Sequence, residues 1–354
     1  MTRRTLLFLP GLGWRLSQAE SAREPKNISF PLATIENSVT PSELFFVRDH
    51  FPEPELSLDS WKLSVEGLVT RRLELTLADL LESPTRKVEA VLECAGNAAG
   101  GAAVGNALWE GVPMADLLKQ AGAQPDATMV MFEGADAGRL LQDSPELPYT
   151  QLLPIEKCRK PESMVALKLN DRLLPRKNGF PARALLPGWY GMDSVKWLRR
   201  IVVLGPNDPP EAFRASGMAK VYNRIVETGP GSRTVKRLTA VQVKSEIAWP
   251  ADQAKLPAAR HTVRGFAWSG GGPIRMVEFS ADGGRSWKAA KLDGAPKPFA
   301  WIRWTCAWAA PRGEHVLMSR ATDVAGGTQP LKREAGRKDG YELNFCAPVR
   351  CTVG

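Results

Sequence analysis

A protein of 354 residues has room for two domains. Its side chains are 44% hydrophobic and 24% charged, the balance of a packed globular protein rather than a disordered one, and no run approaches the roughly 20 apolar residues needed to cross a bilayer. The net charge of +9, from 47 basic and 38 acidic side chains, favours an anionic ligand, whereas the lack of zinc-finger spacing and of an RNA-binding aromatic signature argues against nucleic acid.

Residues 1–27 read as an address, or as a disordered stretch, rather than as part of the fold. Thr2-Arg3-Arg4-Thr5-Leu6-Leu7-Phe8 has the form of a twin-arginine export signal. The small residues Ala19, Ser21 and Ala22 offer a cleavage site. The apolar stretch is short and broken by Pro10 and Gly11, so a frayed cytoplasmic N-terminus is the alternative.

From residue 40 to 205 strand and helix signals are mixed. Trp61-Lys62-Leu63-Ser64-Val65-Glu66-Gly67 alternates like a strand ending in a glycine turn. Thr76 to Leu81 predicts a short capped helix. Next comes Val91-Leu92-Glu93-Cys94-Ala95-Gly96-Asn97, an apolar run ending in small residues. It predicts a thiol at a strand end with little bulk around it. Such a soft sulfur suits a redox metal or a nucleophilic role; the same pattern also fits an inert packing cysteine. Met114 to Ala121 predicts a helix closed by Gly122, and Val195 to Leu204 a strand.

Residues 206–235 carry Pro206, Pro209, Pro210, Gly229, Pro230 and Gly231 and predict a connector. Beyond 236 short β runs dominate. Met276 to Ser280 runs into Ala281-Asp282-Gly283-Gly284, a strand into a tight turn with Trp287 on the return strand. Trp301 to Trp304 and His315 to Arg320 are further strands. Six of the eleven tryptophans fall here, at 249, 268, 287, 301, 304 and 308. Regular strands with buried tryptophan predict a β-sandwich of about 100 residues. The five cysteines, at 94, 158, 306, 346 and 351, form no CxxC pair. Structural zinc and c-type haem are therefore not expected, while Cys346 and Cys351 are close enough in sequence to pair in an oxidising compartment.

Four separated segments then point one way. The first is Leu44-Phe45-Phe46-Val47-Arg48-Asp49-His50-Phe51-Pro52. The second is the Cys94 run with Val104 to Val112. The third is Asn178-Gly179-Phe180-Pro181-Ala182-Arg183 running on to Pro187-Gly188-Trp189-Tyr190-Gly191-Met192-Asp193-Ser194-Val195-Lys196-Trp197-Leu198. The fourth is Arg264 to Gly270, Val277 to Trp287, Arg320 to Asp323 and Gln329-Pro330. In this order, over residues 28 to 350, they resemble the sulfite oxidase family of molybdenum–pterin enzymes.

The resemblance implies an α+β protein: a sulfite-oxidase-type molybdopterin domain over 28–235, followed by an immunoglobulin-like β-sandwich over 236–354 that forms a homodimer contact. It implies a Mo–molybdopterin cofactor with Cys94 as the metal's thiolate ligand. Phe46, Val47, Arg48, His50, Asp136, Asn178, Arg183, Ser194, Val195 and Lys196 are expected at the cofactor. Its phosphate needs cationic donors and backbone N–H groups. Arg48 and Tyr222 are expected beside Cys94 as catalytic groups, Tyr222 being equally open to a packing role. The implied chemistry is oxygen-atom transfer on sulfite or a related sulfur oxyanion. Nothing upstream of residue 28 supplies a cytochrome-b5-type domain with two axial histidines, so no haem is expected in this chain. Electrons then pass to a separate acceptor, such as a c-type cytochrome, in the periplasm if the export signal is real.

One departure bears on substrate. Where sulfite-oxidising members follow Cys-Ala-Gly-Asn with two arginines, this chain has Ala98 and Ala99. Loss of a cationic donor predicts weak sulfite turnover or another substrate. Two other readings stay open: a molybdenum-dependent reductase of sulfoxides or other oxo compounds, and a non-catalytic scaffold keeping a relic pterin domain without metal.

Overall fold

Two five-stranded sheets build the first half of the protein. The computed structural model describes residues 24–140, 145–206, 213, 221–229 and 232–354. The twin-arginine motif, the candidate cleavage site and much of the 206–235 connector lie outside the described residues.

One sheet has the order Leu73–Leu75, Leu63–Gly67, Leu198–Leu204, Met129–Gly138, Leu147–Pro154. The other runs Arg172–Leu173, Met164–Leu169, Val104–Pro113, Arg86–Glu93, with Arg183–Leu185 also pairing with Met164–Leu169. Between them lies a core that includes Leu63, Val65, Phe132, Ile201, Val112 and Val165. The helix Met114–Ala121 buries Met114, Leu117, Leu118 and Ala121 against that core, the i, i+3, i+4, i+7 stripe of an amphipathic helix. Gly122 ends it at φ 68°. A Cβ there would lie 2.0 Å from the Thr70 hydroxyl oxygen, so glycine is required on both conformational and steric grounds. The helix Leu77–Glu82 starts with a capping box, Thr76 and Asp79 each satisfying the other's backbone N–H.

The second half is a two-layer β-sandwich. Lys244–Trp249, Arg260–Trp268, Ile302–Ala309 and Lys291–Leu292 form one sheet. Ala254–Leu256, Val349–Val353, Gly313–Asp323, Ile274–Ser280 and Lys288–Ala289 form the other. Val263, Trp304, Phe279, Leu317 and Cys351 meet between the layers. No helix among the described residues is long and apolar enough to cross a membrane.

The tryptophan-rich strands serve two cores. Trp304 and Trp308 fill the sandwich, whereas Trp268 and Trp301 pack on Val91, Ala95 and Val104 of the first domain. The strand of Cys94 is thus buried from the sandwich side as well.

Several expectations need correction. The strand expected from Val195 begins only at Leu198, because Trp197 adopts φ 48°, a left-handed conformation no strand contains. The return strand of the Asp282 turn starts at Lys288, one residue after Trp287. The connector contains a pair of antiparallel strands, Asn223–Gly229 with Ser232–Arg237, where an irregular linker was expected. Cys346 and Cys351 are both buried free thiols. Cys351 points into the sandwich core, while the Cys346 N–H donates to the Pro330 carbonyl at 2.9 Å in the segment before that strand.

Candidate active site

Cys94 follows directly on the strand Arg86–Glu93, whose exposure falls to nothing over its last four residues. The chain then turns back on itself. The Asn97 N–H donates to the Cys94 carbonyl at 2.9 Å, the Cys94 N–H to the Ala103 carbonyl at 2.9 Å, and the Ala103 N–H to Asn97 Oδ1 at 2.9 Å. Cys94 is half-buried, whereas the other four cysteines are buried. Burial pushes its thiol up.

Phe45 to His50 form one wall. Phe45 lies flat against Phe46 and edge-on to Trp109, centroids 5.5 Å apart in both pairs. This segment can approach only because residue 105 is glycine: a Cβ there would meet the Phe45 ring at 2.8 Å. Asp136 enters from Met129–Gly138, where the pairing register slips between Glu133 and Ala137; a bulge re-aims a side chain in this way. Asn178 ends a 3-10 turn closed by Gly179 at φ 109°, Arg183 opens the next short strand, and Ser194, Val195 and Lys196 come from the loop before Leu198. Tyr222, at φ 59°, enters from the segment before Asn223–Gly229. Its hydroxyl contacts the His50 ring nitrogens at 2.9 and 3.2 Å.

All twelve residues expected at the site line one cleft, part of it open to solvent. Seven further residues line it, and two of them matter electrostatically. Asp49, buried, forms an ion pair with Lys196. Tyr149, buried, donates to the Met192 carbonyl at 3.0 Å and lies 5.2 Å from the His50 ring, centroid to centroid. Asp49 stood inside a quoted motif without a role. Tyr149 reads as one more inward residue of a strand, and no local signal distinguishes it. Ala98 and Ala99 do not line the cleft.

A bound cofactor fits this donor set. Three buried polar atoms of cleft residues have no partner: Asp136 Oδ1, Asn178 Oδ1 and Arg183 Nε. Buried orphan groups cost stability unless a ligand or water satisfies them. Arg183 is otherwise fixed, donating to the Asn178 carbonyl at 3.0 Å and the Ser194 carbonyl at 2.7 Å. Among the described residues, no three His, Cys, Asp or Glu side chains gather as a metal cluster. A metal at Cys94 would therefore take its remaining ligands from outside the protein.

The electrostatics follow from burial. It lowers Lys196 to about 8 against the opposing pull of Asp49 and Arg183 to about 9, and it raises Asp136 to about 7. His50 is pulled down to about 4, by burial and then by Arg48 and Lys196, so its ring is neutral near pH 7. A folded-state pKa below the ordinary value of 6.5 means that the unfolded chain binds the extra proton first. His50 therefore favours folding above about pH 6.5, and this contribution disappears as the pH falls towards 4. In the cofactor-free protein, acid unfolding followed by circular dichroism is expected to lose stability across that window. His50→Gln is expected to flatten the loss; an unchanged profile would remove His50 as its cause.

Comparison with known proteins bears on the same residues. The family model described as "Oxidoreductase molybdopterin binding domain" matches residues 50–210, and "Mo-co oxidoreductase dimerisation domain" matches 235–335. The chain is 32% identical to sulfite oxidase of Gallus gallus, over 88% of this chain and 72% of that protein. It belongs to the sulfite oxidase family. As a member of that family it is a molybdopterin-dependent oxidoreductase. Mitochondrial sulfite oxidase of Homo sapiens is also 32% identical, over 85% of this chain and 59% of that protein, and an NADH nitrate reductase of Solanum lycopersicum 31% identical, over 94% of this chain and 42% of that protein. This chain therefore spans little more than half of its human relative and less than half of the tomato one. Among solved structures, the sulfane dehydrogenase SoxCD of Paracoccus pantotrophus superposes with a TM-score of 0.81, at 26% identity, covering 97% of this chain and 92% of that one.

Proposed function

We propose that this sulfite oxidase family member oxidises sulfite or a related sulfur oxyanion by oxygen-atom transfer and passes the electrons to a separate acceptor. The observation that carries the reading is the placement of one accessible thiol, Cys94, with Arg48 and the Tyr222–His50 pair in a single cleft that also holds unsatisfied buried polar atoms. When bound, the molybdopterin cofactor supplies the oxygen-atom and electron transfer; the protein supplies binding, orientation and charge.

Cys94 is the metal's ligand. Asn178, Arg183, Ser194 and Lys196, with Asp136, would hold the pterin and its phosphate, and Phe46, Val47 and His50 close the wall. Arg48 is the cation best placed for a substrate anion, because it is exposed at the cleft while Arg183 and Lys196 are already held by carbonyls and by Asp49. Tyr222 presents a hydroxyl to substrate, fixed by the neutral His50 ring. That the structural neighbour is named a sulfane dehydrogenase supports the oxidative direction on sulfur.

Ala98 and Ala99 support the second reading, reduction of an oxo compound, as does the similarity to a nitrate reductase. The two readings separate by stopped-flow spectroscopy of the loaded enzyme. Sulfite reduces the oxidised centre under the first; a sulfoxide reoxidises the reduced centre under the second. Loss of a charge-assisted contact removes about 1.5–3 kcal/mol, so sulfite turnover is expected to be weak. Position 99 does not itself line the cleft, so Ala99→Arg tests whether a long cation there reaches the substrate: contact is expected to raise kcat/KM for sulfite by about ten- to a hundredfold. Wild-type kinetics already equal to those of arginine-bearing relatives would refute this.

Homodimer formation through the second domain, export of the folded protein by the twin-arginine route to the periplasm, and a c-type cytochrome as electron acceptor belong to the same proposal. Molybdenum content close to one per chain would exclude the relic scaffold.

A further inference from the structure

The loop that presents Cys94 is gripped from the sandwich domain by buried polar contacts. Lys244, the first residue of the strand Lys244–Trp249, is 2% exposed, and Glu93, one residue before Cys94, is 1% exposed. Lys244 Nζ donates to Glu93 Oε1 at 2.6 Å and reaches the Ala98 carbonyl at 3.5 Å. Trp268 Nε1 donates to Glu93 Oε2 at 2.8 Å. Glu246, 3% exposed, accepts the Gly100 N–H at 2.8 Å. The Glu342 N–H donates to the Ala95 carbonyl at 3.0 Å. Within the loop, Asn97 Nδ2 completes the Glu93 carboxylate at 3.0 Å. Four residues of the second domain thus hold five polar groups of the first between Glu93 and Gly100.

Stability alone is a poor reason for such an arrangement. A buried ion pair is often matched or exceeded by apolar side chains of the same volume, because desolvation of two charges offsets much of their attraction. What apolar packing cannot do is fix a polar main chain at particular points. Every contact here ends on Glu93 or on a backbone group of residues 95–100, and each acts within six residues of the thiol. A ligand atom displaced slightly from its productive geometry is costly in catalysis.

We infer that Lys244, with Trp268 and Glu246, positions the Cys94 thiolate towards its metal across the domain boundary, so that the dimerisation domain is also part of the metal site's support. Lys244 is a positioning residue: it acts through Glu93 and touches neither substrate nor cofactor. The inference rests on the reading of Cys94 as the metal's ligand, and the experiment separates the two.

In cofactor-free protein, hydrogen exchange of the peptide covering 94–103 is compared with that of the strands Met129–Gly138 and Ile302–Ala309. Lys244→Met is expected to speed exchange in the 94–103 peptide by about tenfold or more while the two strands stay within about twofold. Trp268→Phe, which removes one donor and keeps most of the bulk, is expected to give a smaller change in the same peptide and covers the case in which Lys244→Met does not fold. In loaded protein, both variants are expected to shift the electron paramagnetic resonance signal of the Mo(V) state. Exchange raised equally everywhere, or a loop and signal identical to wild type, would make Lys244 a stability residue only and overturn the inference. A wild-type protein that takes up no molybdenum would overturn the reading of Cys94 instead and leave the exchange result standing as a fact about the loop.

Discussion

Cys94→Ser is expected to abolish the loaded enzyme as a catalyst while leaving the fold intact. A serine hydroxyl is harder and far less acidic than a thiol, and a soft metal prefers sulfur. The side chain is half-buried at a strand end and packs at the edge of the cluster around Phe45, Leu92 and Trp109; serine is close to cysteine in volume, so the change creates little cavity. Turnover should fall by at least about a hundredfold, equivalent to about 2.7 kcal/mol of barrier. Molybdenum per chain, measured by elemental analysis, should fall from near one towards zero, and thermal unfolding should stay close to wild type. Full metal content with unchanged turnover would show that the thiol is a packing residue.

Arg48→Met carries the second large effect, and its signature differs. Of the three cations in the cleft, Arg183 and Lys196 already have buried partners, and Arg48 shares one donor with the Asp49 carbonyl while remaining exposed. Removing its charge should cost a sulfur oxyanion about 1.5–3 kcal/mol of binding, seen as a ten- to hundredfold rise in KM, with molybdenum content retained. The salt dependence of kcat/KM should flatten as well, since an exposed cation's attraction is screened by ions. Loss of molybdenum with no change in KM would place Arg48 on the cofactor instead of the substrate.

The sequence disclosed those parts of the protein whose causes are local. The capped helix after Thr76 and the glycine after Ala121 are set by backbone groups within a turn, and both are found as expected. The cleft residues were legible for another reason: all but Asp136 and Tyr222 lie in short segments resembling a known family, and the structure brings all twelve together. What was hidden depends on contacts distant in the chain. Asp49 meets Lys196 across 147 residues, and nothing in either neighbourhood marks the pair. Tyr149 has the alternation of any strand. The left-handed backbone at Trp197 interrupts an apolar run that reads as continuous β. The strand pair Asn223–Gly229 and Ser232–Arg237 was obscured because a segment rich in proline and glycine reads as a connector. The sandwich's hold on the Cys94 loop was invisible for the same reason as the Asp49 pair: a lysine in a strand carries no label for the carboxylate it will meet.

That hold also sets an order of events during synthesis. Glu93 leaves the ribosome 151 residues before Lys244, an interval of about ten to thirty seconds at usual elongation rates. Until then the platform under Cys94 lacks its outer supports, and Glu342, which ties the Ala95 carbonyl, emerges later still. The nascent first domain can form its sheets early, yet the loop around the thiol gains its last supports only after residue 342 has been made. On the proposed role of Cys94, metal insertion follows folding of the second domain, and a chain terminated before residue 244 that folds its first domain is still an unfinished receptor for the cofactor.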